Sequence, residues 1–274
     1  MTLCVKHTKA ERIALLQRAE EKFHINQLAL EKDCWVTMVL NALFKCSCSK
    51  ELIFKGGTSL SKGWNLIERF SEDIDLSVNH TFFGIEKTTK NQREKLRKKA
   101  RRYILDVISN ELEDNLKSMG VKGFRIENVE ETIDDNGVAT TVASDKDPSV
   151  ILVHYNSILK TTNEYVPPRV KIEISCLSMN EPTVDRLISS YVEQTFPGED
   201  DATSTTIRTV VPTRTFLEKA FLLCEEFQKK EPRHIRMSRH LYDLERLMDT
   251  DFGKQALEDK DLYERIVKHR SVYY

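Results

Sequence analysis

Apolar positions along the first forty-odd residues recur at intervals of three and four. Ile13, Leu15, Leu16, Ala19 and Phe23 form one series, and Leu28, Leu30, Trp35, Val36, Met38 and Val39 a second. This period predicts two packed helices between Thr8 and about Phe44. The short run Glu51-Leu52-Ile53-Phe54 then meets Gly56-Gly57 and reads as a strand or helix end opening into a turn. Helical period returns from Thr89 to Ser118 through Leu96, Ala100, Tyr103, Ile104, Val107, Ile108 and Leu112. After Gly120 the pattern shortens to β-rich runs over 124–129, 150–155 and 169–177, punctuated by turns at 145–148 and at Pro167-Pro168. The small and polar stretch TFPGEDDATSTT, 195–206, reads as a linker. Beyond it, Thr215 and Glu218 fit a capping box ahead of FLEKAFLLCEEFQKK, and SRHLYDLERLM forms a further helix after Pro232. The expected fold is α+β, with a mixed unit over 1–205 and a helical unit over 206–274.

Composition narrows the function classes. Of 274 residues, 40% are hydrophobic and 31% charged, which suits a folded globule and not a disordered chain. A net charge of -1 gives no overall attraction to polyanions, so a nucleic-acid partner requires a local patch. The segment from Lys90 to Arg102, with eight Lys or Arg and one Glu, is the candidate, weighed against an ordinary solvated helix face. No apolar run reaches membrane-spanning length and the N-terminus lacks the apolar core of a secretion signal, so a cytoplasmic protein with no membrane partner is expected. The closest pair of the six cysteines, Cys46-Ser47-Cys48, lacks the spacing of a zinc knuckle, which favours reduced thiols.

The chemistry concentrates in FKGGTSLSKGWNLIERFSEDIDLSV, residues 54–78. If Asp73-Ile74-Asp75-Leu76-Ser77-Val78 is a strand, Ile74, Leu76 and Val78 share one face while Asp73 and Asp75 share the other. Two carboxylates so close repel, and a divalent cation, Mg²⁺ above all, is the simplest counter-charge. The run Arg169-Val170-Lys171-Ile172-Glu173-Ile174 repeats the alternation and turns Lys171 and Glu173 out together. Should that strand lie beside the first, Glu173 supplies a third carboxylate, and three can hold the two metals of phosphoryl transfer. Alternatively Lys171 and Glu173 are a solvated strand face. Upstream, Gly57, Thr58 and Ser59 can cradle a phosphate through backbone N–H groups and hydroxyls, with Lys62 and Arg69 adding charge. The Walker pattern is absent.

The segments EKDCWV, FKGGTSLSKGW, RFSEDIDL, RVKIEIS and RHLYDLERLM together resemble the AbiEii/AbiGii toxin branch of the DNA polymerase β-like nucleotidyltransferase superfamily. The resemblance runs from about Leu28 to Tyr274. It implies a nucleotidyltransferase core, a mixed sheet flanked by helices, with a helical C-terminal part. The implied role is the toxin half of an AbiE-type toxin–antitoxin system, whose antitoxin can act without forming a complex. Carried over by motif, Asp73 and Asp75 take the metal-binding positions, and Gly57, Thr58 and Ser59 the nucleotide-phosphate turn. Lys171 takes the position of the catalytic lysine and Glu173 the acidic place, where many relatives have aspartate. Asp243 takes that of the essential aspartate of the late helical motif. Helix geometry agrees with the last assignment, placing Arg236, Arg239, His240 and Asp243 on one face and Leu241, Leu244, Leu247 and Met248 toward the core. Relatives commonly extend past the region that closes this chain, so a short or truncated member is expected.

The resulting expectation is a Mg²⁺-dependent enzyme that moves a nucleotide from a nucleoside triphosphate to an RNA 3′ end, a tRNA foremost. Asp73, Asp75 and Glu173 would hold two ions, and Lys171 would compensate phosphate charge. Asp243 would orient Lys171 or the substrate, and the 90–102 run would grip the RNA. Nucleotidylation of a protein side chain and a catalytically silent nucleotide-binding module are the alternatives.

Overall fold

The computed structural model describes residues 2–85, 89–133, 138–159, 167–180, 182–233 and 237–273. Three helices open the chain: α1 (Leu3–Lys6), α2 (Lys9–Phe23) and α3 (Gln27–Leu43). Thr8 and Glu11 close a capping box on α2 and Asn26 caps α3, which fixes the boundaries the apolar period predicted. β1 (Leu52–Lys55) leads into the short helix α4 (Gly56–Lys62), followed by β2 (Ile74–Val78). Next comes the long basic helix, continuous in three pieces: α5 (Lys90–Tyr103), a π-helical stretch over Ile104–Ile108 and α6 (Ser109–Ser118). The strands β3 (Phe124–Asn128), β4 (Glu131–Ile133), β5 (Ala139–Thr141), β6 (Ser149–Tyr155), β7 (Arg169–Ser175) and β8 (Thr183–Ile188) follow. Then come α7 (Tyr191–Thr195), β9 (Thr205–Val210), α8 (Pro212–Phe227), α9 (Met237–Met248), α10 (Asp251–Glu258) and α11 (Lys260–Tyr273).

Seven strands form one mixed sheet in the order β3-β6-β7-β2-β1-β9-β8, and β4 pairs with β5 apart from it. The fold is α+β. β2 is antiparallel to β1 and parallel to β7. Alternation sorts the faces: Ile74, Leu76, Val78, Val170, Ile172 and Ile174 are buried in a cluster with Trp35, Val39 and Leu43 of α3 and with Leu96, Ala100, Leu112 and Leu116 of the basic helix. That layer leaves the opposite face of β2 and β7, at the end nearest α8 and α9, for polar work.

Two expectations from the sequence need correction here. The segment 195–206 is no linker. Asp200 is buried and accepts hydrogen bonds from the Leu3 backbone N–H at 2.7 Å and the Ser190 hydroxyl at 2.7 Å, so composition hid a clamp between the N-terminal helices and the sheet. The 205/206 position falls inside β9, which pairs with both β1 and β8, and the chain leaves the sheet only at Val211. The expected capping box is absent too. α8 starts one turn earlier with Pro212 in its first turn, and Thr215 and Glu218 are interior, Glu218 pairing with Arg214 at 2.9 Å. No described helix is long and apolar enough to cross a membrane.

Phe54 is fully buried in the middle of β1, between β2 and β9. Phe54→Ala is expected to lower unfolding free energy by about 3–5 kcal/mol, read from urea denaturation followed by circular dichroism.

Candidate active site

Backbone register assembles the site. Asp75 lies opposite Lys55 on β1 and opposite Glu173 on β7, so three strands carry the row Lys55, Asp75, Glu173. Neighbouring strands lie about 4.8 Å apart, which makes Asp75 and Glu173 adjacent. Asp73 and Lys171 each precede their partners by two residues and share their face. Lys171 Nζ meets Glu173 Oε1 at 2.6 Å. The two motifs, nearly a hundred residues apart in sequence, therefore converge.

The carboxylates carry the electrostatic signature of that crowding. Burial pushes the Asp75 pKa up to about 7, against the pull of Lys55 and with added repulsion from Glu173 and Asp73. Burial likewise raises Asp73, opposed by Lys171 and reinforced by Glu72 and Glu173. Hard carboxylate oxygens with unrelieved negative charge suit Mg²⁺. Among the described residues no three His, Cys, Asp or Glu side chains form a ready-made cage, and Lys171 holds one oxygen of Glu173. The donor set is of a kind that fits a divalent cation, which Asp73 and Asp75 would hold.

Glycine is required at the turn by contact. Gly56 has φ of +78°, and a Cβ there would sit 2.1 Å from Asp75 Oδ2. A Cβ on Gly57 would sit 2.6 Å from Arg69 Nη2 and 2.9 Å from Ser71 Oγ. The expectation that Thr58 and Ser59 offer hydroxyls to a phosphate is not met. Thr58 is fully buried, donates to the Asp73 carbonyl and shares a 2.9 Å hydrogen bond with Ser71, while Ser59 donates to the Gly56 carbonyl at 2.9 Å. Their hydroxyls brace the turn and fix the aspartate segment. Lys62 is likewise elsewhere: it is buried, pairs with Asp33 at 2.6 Å and lies 4.2 Å from the ring centroid of Tyr191. Lys62 points away because it follows Gly57 by five residues on α4, which turns it about 140° round the helix from the site-facing side.

Arg69 does reach the site, through the C-terminal helices. It donates to Asp243 from Nε at 2.7 Å and Nη2 at 2.6 Å, and Lys219 of α8 meets the same carboxylate at 2.9 Å. Burial would raise the Asp243 pKa, but the hydrogen bonds and charges of Arg69 and Lys219 outweigh it and hold the group below its ordinary value. Asp243 is therefore a fully buried anchor for two cations; of the two roles expected for it, orienting Lys171 or the substrate, the first is taken by Glu173, which holds Lys171. His240 lies 3.4 Å from Lys219, and burial together with that lysine lowers its pKa to about 4, keeping it neutral. These groups bound a cavity of about 640 Å³, with Lys55, Gly57, Asp73, Lys171, Arg233 and Arg239 on its walls. This size is ordinary for a small-ligand site.

Lys55, Lys219 and Arg233 were missed in the sequence. A signal existed for Lys219, which interrupts the buried stripe Thr215, Leu223, Glu226 of α8 with a charge. The face predicted for α9 is partly reversed. Asp243 and Leu247 are buried with Met237, whereas Leu241 is 51% and Met248 54% exposed, because the buried ion pair and not the apolar period sets the rotation; Arg236 lies outside the described residues. The basic run is also divided. Arg101 is buried on the Val129 carbonyl, Lys99 donates to the Phe83 carbonyl, and Lys98 and Arg102 pair along the helix.

The family model for the nucleotidyl transferase AbiEii toxin of type IV toxin–antitoxin systems matches residues 39–272. The chain belongs to the AbiEii nucleotidyltransferase toxin family. It is similar in structure to MenT4, a nucleotidyltransferase toxin of Mycobacterium tuberculosis H37Rv, at a TM-score of 0.46 and 17% identity, with 92% of this chain and 68% of that one covered. Nothing among curated protein sequences matches it. The EKDCWV segment precedes the residues that the AbiEii model matches, and its charges are structural. Glu31 holds Ser157 and Ile158, Lys32 pairs with Glu72 at 2.7 Å, and Asp33 holds Lys62 and Tyr191.

Two outcomes follow for this AbiEii-family site. Lys62→Met strands Asp33 in the interior and is expected to cost about 3–5 kcal/mol in denaturant unfolding while triphosphate affinity, by equilibrium dialysis of the folded fraction, stays within twofold. The raised Asp75 pKa means that this group stabilises the metal-free fold fully below about pH 3.8 and that the contribution is lost as pH rises through about 7. Asp75→Asn is therefore expected to gain on the wild type between pH 5 and pH 8 in chelator, by about 2–4 kcal/mol, measured as thermal unfolding against pH.

Proposed function

We propose that this AbiEii-family toxin transfers a nucleotide from a nucleoside triphosphate to the 3′ end of an RNA, a tRNA foremost, releasing pyrophosphate. The observation that carries the reading is the register that sets Asp75 beside Glu173 with Gly56 packed against the Asp75 carboxylate. Asp73 and Asp75 would hold Mg²⁺, with Glu173 completing the set once released from Lys171. When bound, the metal supplies Lewis-acid stabilisation of phosphoryl charge.

The chain's own groups do the rest. The triphosphate lies on the Gly56–Gly57 turn with its β- and γ-phosphates toward Arg69 and Lys219, which Asp243 holds in place. The acceptor 3′-oxygen forms a bond to the α-phosphorus as the bond from that phosphorus to the α–β bridging oxygen breaks. Its proton passes to Glu173, and pyrophosphate carries the negative charge away toward Arg69 and Lys219. Lys171 offsets charge on the α-phosphate, and pre-fixed cations need no reorganisation as charge shifts. Cytoplasmic RNA as target and an antitoxin that acts with or without complex formation complete the reading.

The test is incubation of purified protein with Mg²⁺, each α-labelled triphosphate in turn, tRNA and lysate protein. Label in tRNA at single-nucleotide extension is expected, and Asp75→Ala is expected to reduce it by at least about 10³-fold and to abolish growth inhibition. Label in protein alone would replace this reading with side-chain nucleotidylation, and toxicity surviving Asp75→Ala would replace it with a binding module.

A further inference from the structure

Asp75 and Glu173 line two cavities. The one holding the phosphate-binding groups includes Asp73 and Lys171, which precede the pair on the parallel strands β2 and β7. A second, of about 600 Å³, includes Leu76, Ser175 and Leu177, which follow it. The strands thus run from one cavity into the other, with the carboxylates and Lys55 at the boundary. In-line displacement puts the attacking and leaving oxygens on opposite sides of phosphorus. With pyrophosphate leaving into the first cavity, an attacking hydroxyl must come from the second.

The walls of this second cavity suit a phosphodiester and a base. Arg97 of α5 lines it, pairs with Asp145 at 2.7 Å through Nη2 and keeps a buried Nε with no hydrogen-bond partner. Lys146 is exposed at its edge and has no ion pair among the described residues. Asp147 is tied to the end of β7 by the Ser175 hydroxyl at 2.6 Å and the Cys176 N–H at 2.9 Å. Tyr273, part-exposed on the same wall, offers a ring for stacking, with the His269 ring 4.5 Å away. Arg93, one turn before Arg97, is close enough to act on the Tyr273 hydroxyl.

We propose that the second cavity is the acceptor site, seating the 3′-terminal nucleotide of an RNA strand with its phosphodiester on Arg97 and Lys146 and its base on Tyr273. This rests on the RNA 3′-end reading above. In it the 3′-oxygen crosses the Asp75–Glu173 boundary to bond the α-phosphorus, pyrophosphate leaves on the far side, and the proton goes to Glu173. A protein hydroxyl acceptor would present neither phosphate nor base to these groups. Part of the basic run thereby acquires a direction: Arg97 lines the acceptor cavity with Arg93 one turn before it, while Lys99 and Arg101 tie the helix to the Phe83 and Val129 carbonyls.

The experiment has an arm that needs no transfer. An RNA ending in 3′-terminal 4-thiouridine, irradiated with the full chain without metal or triphosphate, is expected to crosslink to peptides carrying 143–148 or 269–273; crosslinks confined to 215–240 would overturn the assignment. In steady-state assays Arg97→Glu and Lys146→Glu are each expected to raise KM for RNA about 10-fold and to flatten its salt dependence by about one unit, with triphosphate KM unchanged. If RNA is labelled yet both variants keep the wild-type RNA KM, the acceptor assignment fails while the transfer reading stands. If crosslinks map as expected yet no RNA is labelled, the transfer reading fails, and the acceptor assignment that depends on it falls with it.

Discussion

The parallel pairing of β2 with β7 is the constraint from which the site follows. It sets Asp75 beside Glu173 by backbone hydrogen bonding, so the two residues cannot separate without breaking the sheet. Two charges at strand spacing repel by about 3 kcal/mol at an effective dielectric near 20, a sizeable share of a domain's net stability. The fold tolerates this because apolar Ile74, Leu76, Ile172 and Ile174 on the reverse face lock the register: a one-residue slip would bury the acids and expose the core. The repulsion is retained for use, since a cation or a proton relieves it.

Around that pair the chain places its cations in two ways. Lys55 and Lys171 come from the same sheet and share its alternation. Arg69 and Lys219 come from a loop and from α8, and need a fully buried aspartate on α9 to hold them. The first arrangement is rigid with the sheet, whereas the second depends on how the helical part packs. On the proposed reading substrate phosphates would meet both, and affinity would then couple sheet geometry to helix docking.

The legible part of the fold was the part with a strong local period. Helices α2 and α3, the long basic helix and strands β6 and β7 are readable from their apolar spacing, and the face on which Asp73 and Asp75 lie follows from alternation alone. Strands β8 and β9 escaped because their polar and charged residues, as in Thr183-Val184-Asp185-Arg186, alternate without an apolar face. The side-chain roles expected of Thr58, Ser59 and Lys62 failed for a shared reason: residue type shows hydrogen-bonding capacity, but only the fold shows where that capacity is already used. Asp243 was legible by motif and its partners were not, since a buried ion pair between residues so far apart leaves no spacing to read.

Arg69 and Asp243 are 174 residues apart, and the cations Arg69 and Lys219 are held only once α8 and α9 have docked. During synthesis the acidic strands emerge early and the anchor emerges late. A chain that has not yet reached α9 lacks the carboxylate that holds Arg69 and Lys219 in place.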